Sequence, residues 1–196
     1  AASNVVRQST APRSAPPIVR GMAFAPLIEL IETSKPTDTQ AFLRVLAWTG
    51  ITPKELSLLR PDDLRLDERL LIVPPRRKGR GAAGRFVPLN DEALSALRDF
   101  DRCHAYGRYD RRTVLRAWQR ASRAVLGRPT RLYDLRHSFL TGIVLATKDI
   151  KTAQLLAGHT TGKPTYRYAL SAILPMLRAG VEAFTQSVAA SEEKPQ

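Results

Sequence analysis

The sequence predicts a mainly α-helical domain with one small antiparallel β-sheet, of the α+β class. Apolar residues recur at three- and four-residue intervals over most of the chain, as in amphipathic helices. Two short apolar runs, 69–75 and 85–89, flank a glycine-rich basic segment typical of a hairpin tip. The 196 residues are enough for one well-buried domain. We expect a flexible linker at 1–22, the domain at 23–188 and a disordered tail at 189–196.

Three helices are predicted ahead of the hairpin. Apolar spacing favours the first two, at about 24–33 and 38–48. The third begins in the segment TPKELSLL, where Thr52 suits the N-cap and Pro53 the first helical position. Glu55, three residues after Thr52, completes a capping box, so the start of this helix is well specified.

Helices also follow the hairpin almost to the end of the chain. Asn90 is the expected N-cap of the first of them, which extends to about Phe100. Further apolar repeats predict helices at about 111–126, 133–147, 150–159, 165–170 and 173–188.

The predicted helix at 111–126 has one strongly basic face. The residues expected to point inward are Val114, Trp118, Ala121 and Val125. The residues that share the opposite face at helical spacing are Arg112, Arg116, Arg120 and Arg123. Such a stripe is usually a solvated surface. In a chain as basic as this one, a contact to the DNA backbone is an equally good interpretation.

The charge balance points to a polyanionic partner. The formal net charge is +13 and the isoelectric point is about 10.7. A fold does not require this excess, whereas nucleic acid rewards it through counterion release. Nucleic acid is favoured over an anionic membrane surface, and no apolar stretch is long enough to span a bilayer. With a single cysteine, Cys103, no internal disulfide forms, and we expect a cytoplasmic, DNA-associated protein.

Three segments near the C-terminus combine arginine, histidine and tyrosine, a set of residues that suggests phosphoryl transfer. Arg136 and His137 stand within an apolar helix, where charged residues are rare unless they serve a site. The segment LLAGH ends a helix on Gly158 and leaves His159 at the turn, and Tyr168 follows nine residues later. Arginine neutralises a phosphodiester, histidine donates to its oxygens and tyrosine attacks phosphorus.

Each of these residues also has a plain structural interpretation. A histidine after a helix-ending glycine is often a cap, a lone tyrosine is usually packing, and Tyr166 is a second tyrosine close by. A metal site is disfavoured, because the three histidines lack ligand spacing and no acidic cluster accompanies them. No glycine-rich phosphate loop or zinc-finger pattern is present in the sequence.

The run LAWTG…KELSLL, the basic hairpin, LRHSF, LLAGH and Tyr168 together resemble the catalytic domain of the tyrosine recombinases, the family of phage integrases. The resemblance covers roughly 24–186 in collinear order. It implies a tyrosine-recombinase-like fold and attack of a tyrosine on a DNA phosphodiester. The products would be a 3′-phosphotyrosyl link and a free 5′-hydroxyl, and no metal, nucleotide or other cofactor would be consumed.

The resemblance assigns roles to five positions. It implies that Tyr168 is the nucleophile, Arg136 the second arginine and His159 the histidine of the LLGH-type motif. Lys78, at the hairpin tip, matches the general-acid lysine, and His137 follows Arg136 as in the common Arg-His pair.

The resemblance also implies partners. Double-stranded DNA would contact the hairpin through Arg76, Arg77 and Arg80, and the basic stripe through Arg112, Arg116 and Arg120. A homo-oligomer or recombinase partner subunits would assemble on that DNA, and an N-terminal DNA-clamping domain would precede the linker. The helix at 173–188 packs either on a neighbouring protomer or on its own domain.

Two positions depart from the family pattern. Thr52 stands where the first catalytic arginine is expected, and Tyr133 replaces the leading histidine of H-x-L-R-H. A threonine does not neutralise a phosphate, whereas a tyrosine still donates a hydrogen bond. Two hypotheses follow: an active recombinase with a degenerate site, or a recombinase-fold DNA-binding accessory subunit that cuts DNA poorly or not at all.

Overall fold

The part of the chain that the structure describes is mainly helical, with one three-stranded antiparallel sheet. This computed structural model describes residues 22, 24–75, 84–104, 109–158 and 166–192, with the backbone alone at 104, 150, 166–176 and 191–192. The helices are α1 (Phe24–Thr33), α2 (Thr37–Thr49), α3 (Pro53–Leu56), α4 (Asp91–His104), α5 (Arg111–Leu126), α6 (Leu132–Thr147), α7 (Ile150–Ala157) and α8 (Tyr166–Glu192). The strands are β1 (Leu64–Arg65), β2 (Leu70–Val73) and β3 (Arg85–Pro88). None of these described helices is long and apolar enough to cross a bilayer.

The sheet has the strand order β1-β2-β3, and the hairpin predicted from the two apolar runs forms its β2–β3 pair. Leu71 pairs with Val87, and both side chains are buried against the helices. The sequence analysis missed β1, a two-residue strand that follows a 3-10 turn at Pro61–Asp63. Two residues are too few to show the alternation by which a strand is recognised.

Helix α2 lies at the centre of the core and packs against α1, α4 and α6. Its apolar residues are almost fully buried, including Phe42, Val45 and Leu46. A cluster of aromatic rings joins α1, α2, α6 and α8, in which Phe24, Trp48 and Phe139 each lie within 6 Å of the ring of Phe184. Edge-to-face rings at this spacing add attraction beyond the area that they bury. The cluster therefore ties the C-terminal helix to the N-terminal half of the domain.

Helix α8 is one element where the sequence predicted two. Ser171 and Ala172 lie between the two predicted helices, and neither residue stops a helix as a glycine C-cap would. The helix also continues past Val188 through Glu192, within the predicted tail, because Ala189 and Ala190 favour helix. The described apolar residues of its predicted inner face, Leu177, Val181, Phe184 and Val188, are buried.

Residue Met22, the last position assigned to the linker, contacts the domain. Its backbone N–H donates to Ser138 Oγ in α6 at 2.9 Å, and its partly buried side chain packs against the core. The rest of the predicted linker, residues 1–21, lies outside the described residues. The packed region therefore begins by Met22.

Two helices end at glycines in the same left-handed conformation but in different surroundings. Helix α2 ends at Gly50 (φ 64°) and α5 at Gly127 (φ 68°). A Cβ atom on Gly50 would lie 2.3 Å from Phe139 Cδ1, whereas one on Gly127 would meet nothing within 4 Å. The Gly50 carbonyl oxygen also accepts a hydrogen bond from Arg136 Nη1 at 2.8 Å. Gly50 is thus required by both its backbone angle and its packing.

We expect Gly50→Ala to lower the free energy of unfolding by about 2–5 kcal/mol, because left-handed strain adds to the overlap with Phe139. The matched variant Gly127→Ala should lose only about 1–2 kcal/mol, since it carries the backbone strain alone. Urea unfolding of both variants at neutral pH measures the difference. Equal losses would show that the space around Gly50 relaxes freely.

Candidate active site around Glu55

The capping box predicted at the start of α3 is present. Thr52 Oγ1 accepts a hydrogen bond from the Glu55 backbone N–H at 3.2 Å, and the Thr52 N–H donates to Glu55 Oε2 at 2.7 Å. The Thr52 hydroxyl also donates to Glu55 Oε2, at 2.9 Å. Tyr109 fixes the same helix start by donating its hydroxyl to the Pro53 carbonyl oxygen at 2.8 Å. The backbone N–H and the hydroxyl of Thr52 therefore both take part in a buried hydrogen-bond network with Glu55.

The carboxylate of Glu55 is buried and lies between two arginines. Its side chain is 2% exposed, and Arg85 grips it with both terminal nitrogens, Nη1 to Oε1 at 2.5 Å and Nη2 to Oε2 at 3.0 Å. Arg136, also 2% exposed, brings Nη1 to 3.5 Å from Oε2. Bidentate guanidinium–carboxylate pairs are charge-assisted hydrogen bonds, which are about twice as strong as those between neutral groups. Glu55 is thus held as an anion.

The pKa of Glu55 reflects this balance. Burial of the carboxyl group alone would raise the pKa, because a charged group loses its hydration. The hydrogen bonds and charge of Arg85, the Thr52 backbone N–H and the charge of Arg136 outweigh burial and lower the pKa to about 2.

The two arginines also bind successive carbonyl groups at the end of α7. Arg85 Nε donates to the Leu156 carbonyl oxygen at 2.7 Å, and Arg136 Nη2 donates to the carbonyl oxygen of Ala157. The last carbonyls of a helix have no partner within it and carry partial negative charge, so cations are favoured there. Gly158, at φ 66°, closes the helix, and a Cβ atom there would lie 2.9 Å from Arg85 Cδ.

The structure brings two of the predicted catalytic positions together. Arg136 and Thr52, which occupies the first-arginine position, both contact the carboxylate of Glu55. Tyr133 and His137 lie together on the exposed face of α6, the helix that carries Arg136, with ring centroids 5.0 Å apart. Tyr133 is 40% exposed, so it faces outward, one turn before the buried Arg136.

The structure describes several other predicted site residues only in part or not at all. The backbone of Tyr168 lies in the first turn of α8. The predictions for Lys78 and His159 and for the hairpin arginines Arg76, Arg77 and Arg80 lie outside the described residues.

The basic stripe of α5 faces away from the core as predicted. Val114 and Trp118 are buried, and the four arginines of the stripe, Arg112, Arg116, Arg120 and Arg123, are exposed. The prediction that Val125 points inward is wrong, because this side chain is 46% exposed. Its spacing from Trp118 is correct for the inner face, but at this end of α5 the neighbouring Leu126 packs against the core and Val125 does not.

Sequence reasoning missed Arg85, which it treated only as the start of a strand. Arg85 is the first residue of β3, and its side chain is 11% exposed. An arginine at the edge of an otherwise apolar strand was the available signal, because such a charge is buried only when it is paired. Its partner, Glu55, is 30 residues away along the chain.

The family model described as the phage integrase family matches residues 22–173, which include Thr52, Glu55, Arg85, Arg136 and Tyr168. The chain belongs to the phage integrase family. Among curated relatives, the chain is 30% identical over 182 residues to a protein named tyrosine recombinase XerC from Xanthomonas axonopodis pv. citri, covering 83% of this chain and 57% of that protein.

Solved structures of integrases have the same fold. An integrase from mycobacterium phage Brujita matches with a TM-score of 0.62 at 20% identity, covering 89% of this chain and 60% of that one. The Tn1549 transposon integrase, in complex with transposon right end DNA, matches with a TM-score of 0.60 at 16% identity, covering 84% and 68% of the two chains. The predicted tyrosine-recombinase catalytic fold is thereby confirmed. The chain spans little more than half the length of the curated relative that it matches.

We expect Glu55 to make folding stability depend on pH in acid. Its folded-state pKa of about 2 lies below the ordinary value, so its contribution is complete above about pH 4.5 and is lost as the pH falls towards 2. The advantage of the natural protein over Glu55→Gln should shrink by roughly 3 kcal/mol across that interval. Denaturant unfolding between pH 6 and 2 measures it, and Glu182→Gln on the exposed face of α8 serves as control. An advantage that does not change with pH would contradict an ionised, paired Glu55.

Proposed function

We propose that this chain is the catalytic portion of a tyrosine recombinase, which cleaves and rejoins double-stranded DNA through Tyr168. The observation that carries the proposal is the pair of arginines, Arg85 and Arg136, held over Glu55 at the end of α7. Tyr168 is the tenth residue after Gly158, which closes that helix. The position of Arg136 in the family motif and its burial beside these carbonyl groups both support a preorganised anion site.

In the proposed reaction the Tyr168 oxygen attacks phosphorus in the DNA backbone. A tyrosyl–phosphate bond forms at the 3′ end, and the bond from phosphorus to the 5′ oxygen breaks. Lys78 protonates the leaving 5′ oxygen, and Arg136 and His159 stabilise the charge that develops on the phosphoryl oxygens. The reverse attack by a 5′-hydroxyl restores the DNA and releases Tyr168, so the reaction consumes neither metal nor nucleotide.

Double-stranded DNA is the proposed partner, bound by Arg112, Arg116 and Arg120 of α5 and by the hairpin segment at 76–80. The net charge of +13 supports this assignment, and the Tn1549 integrase of the same fold is in complex with DNA. We further propose, from the family resemblance, that the protein works in a DNA-associated assembly of copies or partner subunits in the cytoplasm. The residues ahead of the packed Met22 would serve as its linker.

A second candidate is a DNA-binding accessory subunit with impaired cleavage. The specific observation that favours it is Thr52, which stands at the first-arginine position and is fully engaged in the capping box with Glu55. An arginine at a transferring phosphate is worth on the order of a thousandfold in rate, so its loss from this position bears directly on activity.

We expect the full-length protein to form a covalent adduct with nicked suicide DNA duplexes, in which a short cleaved fragment diffuses away and prevents rejoining. Because the target sequence is unassigned, the duplexes are first selected from a randomised pool by binding to the Tyr168→Phe variant. The adduct, resolved on denaturing gels with labelled DNA, should disappear in Tyr168→Phe and persist in Tyr166→Phe. Tight binding without any adduct would instead support the accessory subunit.

We expect the triple variant Arg112→Gln, Arg116→Gln, Arg120→Gln to bind all duplexes more weakly and with less dependence on salt. Each lost phosphate contact should reduce the slope of log K against log salt concentration by about 0.9. Binding titrations at several salt concentrations measure it. The control is a triple glutamine variant of exposed arginines elsewhere, Arg65, Arg98 and Arg102. Equal slopes in the two triple variants would remove α5 from the interface.

A further inference from the structure

The positive charge around Glu55 is greater than is required to neutralise its carboxylate. Arg136 lies 3.5 Å from the carboxylate, and Thr52 adds an N–H and a hydroxyl donor to Oε2. Arg85 brings a second guanidinium to the same carboxylate. Together Arg85, Arg136 and Glu55 carry a formal charge of +1. Without Arg85 the charges of this cluster would cancel, and a phosphate would find no net attraction there.

We propose that Arg85 supplies the phosphate-binding positive charge that Thr52 does not provide. The first arginine of the family motif would then be replaced here by a residue on β3 that binds the same Glu55 carboxylate as Thr52. This inference rests on the proposed function for its substrate class, a phosphodiester of the DNA backbone. It assigns a phosphate contact to a residue outside the motif.

The geometry places Arg85 beside Arg136 on two shared supports. Both guanidinium groups contact the Glu55 carboxylate, and they donate to the consecutive carbonyl oxygens of Leu156 and Ala157. A guanidinium carries five N–H donors in a rigid plane. Arg85 uses three of its five N–H donors in the bonds to Leu156 and Glu55. Those bonds fix the plane of the guanidinium, and its two other N–H donors have no partner among the described residues.

The accessibility of the two arginines also favours Arg85 as a phosphate ligand. Its side chain is 11% exposed and that of Arg136 is 2% exposed, so Arg85 forms the more open side of the cluster. Gly158 permits this position, because a Cβ atom there would press against Arg85 Cδ. One guanidinium is enough to neutralise one carboxylate, so the second leaves the cluster with a net positive charge in addition to its bonds to helix-end carbonyl groups.

The test is a binding scan that does not depend on cleavage. Full-length Tyr168→Phe protein is titrated with a set of selected duplexes, each of which carries one neutral methylphosphonate in place of a backbone phosphate. We expect at least one substitution to weaken binding roughly tenfold when Arg85 is present, because a charge-assisted hydrogen bond to that phosphate is lost. In the Arg85→Ala background the same substitution should weaken binding less than about twofold, since the charge that it removes is no longer recognised.

Controls separate this role from a structural one. Arg85→Gln keeps an N–H donor for Glu55 but has no charge, so it should lose the same position-specific penalty as Arg85→Ala; it decides the matter if the alanine variant does not fold. Arg44→Ala removes an arginine of α2 that binds both carboxylate oxygens of Glu32 in α1, and its scan should match that of the parent. Scans that are identical with and without Arg85 would overturn the proposal, whatever the overall affinity.

A kinetic arm applies where adducts form. Arg85→Ala should slow cleavage of the natural phosphodiester on the order of a thousandfold. It should slow cleavage of the methylphosphonate at the scissile position far less, because that substrate carries no charge to neutralise. Equal slowing on both substrates would make Arg85 a structural residue and overturn the proposal. If no Tyr168-dependent adduct forms, the proposed cleavage fails while the binding scan still decides the role of Arg85.

Discussion

The buried carboxylate of Glu55 is the constraint on which the rest of the site depends. An ionised carboxyl group at 2% exposure is stable only when opposite charge and hydrogen bonds replace its hydration. Arg85, Arg136 and Thr52 supply them from β3, α6 and the N-terminus of α3. The anion on α3 therefore holds β3 and α6 in place through Arg85 and Arg136, and moving either element away would break an ion pair.

Helix ends supply the other half of this arrangement. The carbonyl groups of Gly50, Leu156 and Ala157 lie at the ends of α2 and α7, where backbone acceptors have no partner within the helix. Arginine side chains satisfy them and are oriented in return. The glycines that close these helices, Gly50 and Gly158, leave room for Phe139 and Arg85 respectively. Backbone geometry and side-chain charge thus place the two guanidinium groups together.

Local signals in the sequence predicted most of the fold, whereas contacts between segments distant along the chain were not predicted. The capping box of Thr52, the Asn90 cap and the limits of α5 each depend on neighbours within four residues, and all three predictions are confirmed. The family motif predicted Arg136 as a site residue, and its catalytic role stays a prediction. The pairing of Arg85 with Glu55 joins segments that lie 30 residues apart along the chain, and the exposure of Val125 depends on how the end of α5 packs against its neighbours. No periodicity within either segment encodes those facts.

The threonine at the first-arginine position bears differently on function once the surrounding charge is counted. Electrostatic stabilisation of a phosphate depends on the positions of charges in space and not on the segment that carries them. Thr52 contributes helix capping and two hydrogen bonds to Glu55, and the cluster keeps its positive charge through Arg85. The substitution therefore argues for a rearranged site as readily as for a lost one. An Arg85 contact to the phosphate that Tyr168 is proposed to attack would remove Thr52 as an argument against cleavage.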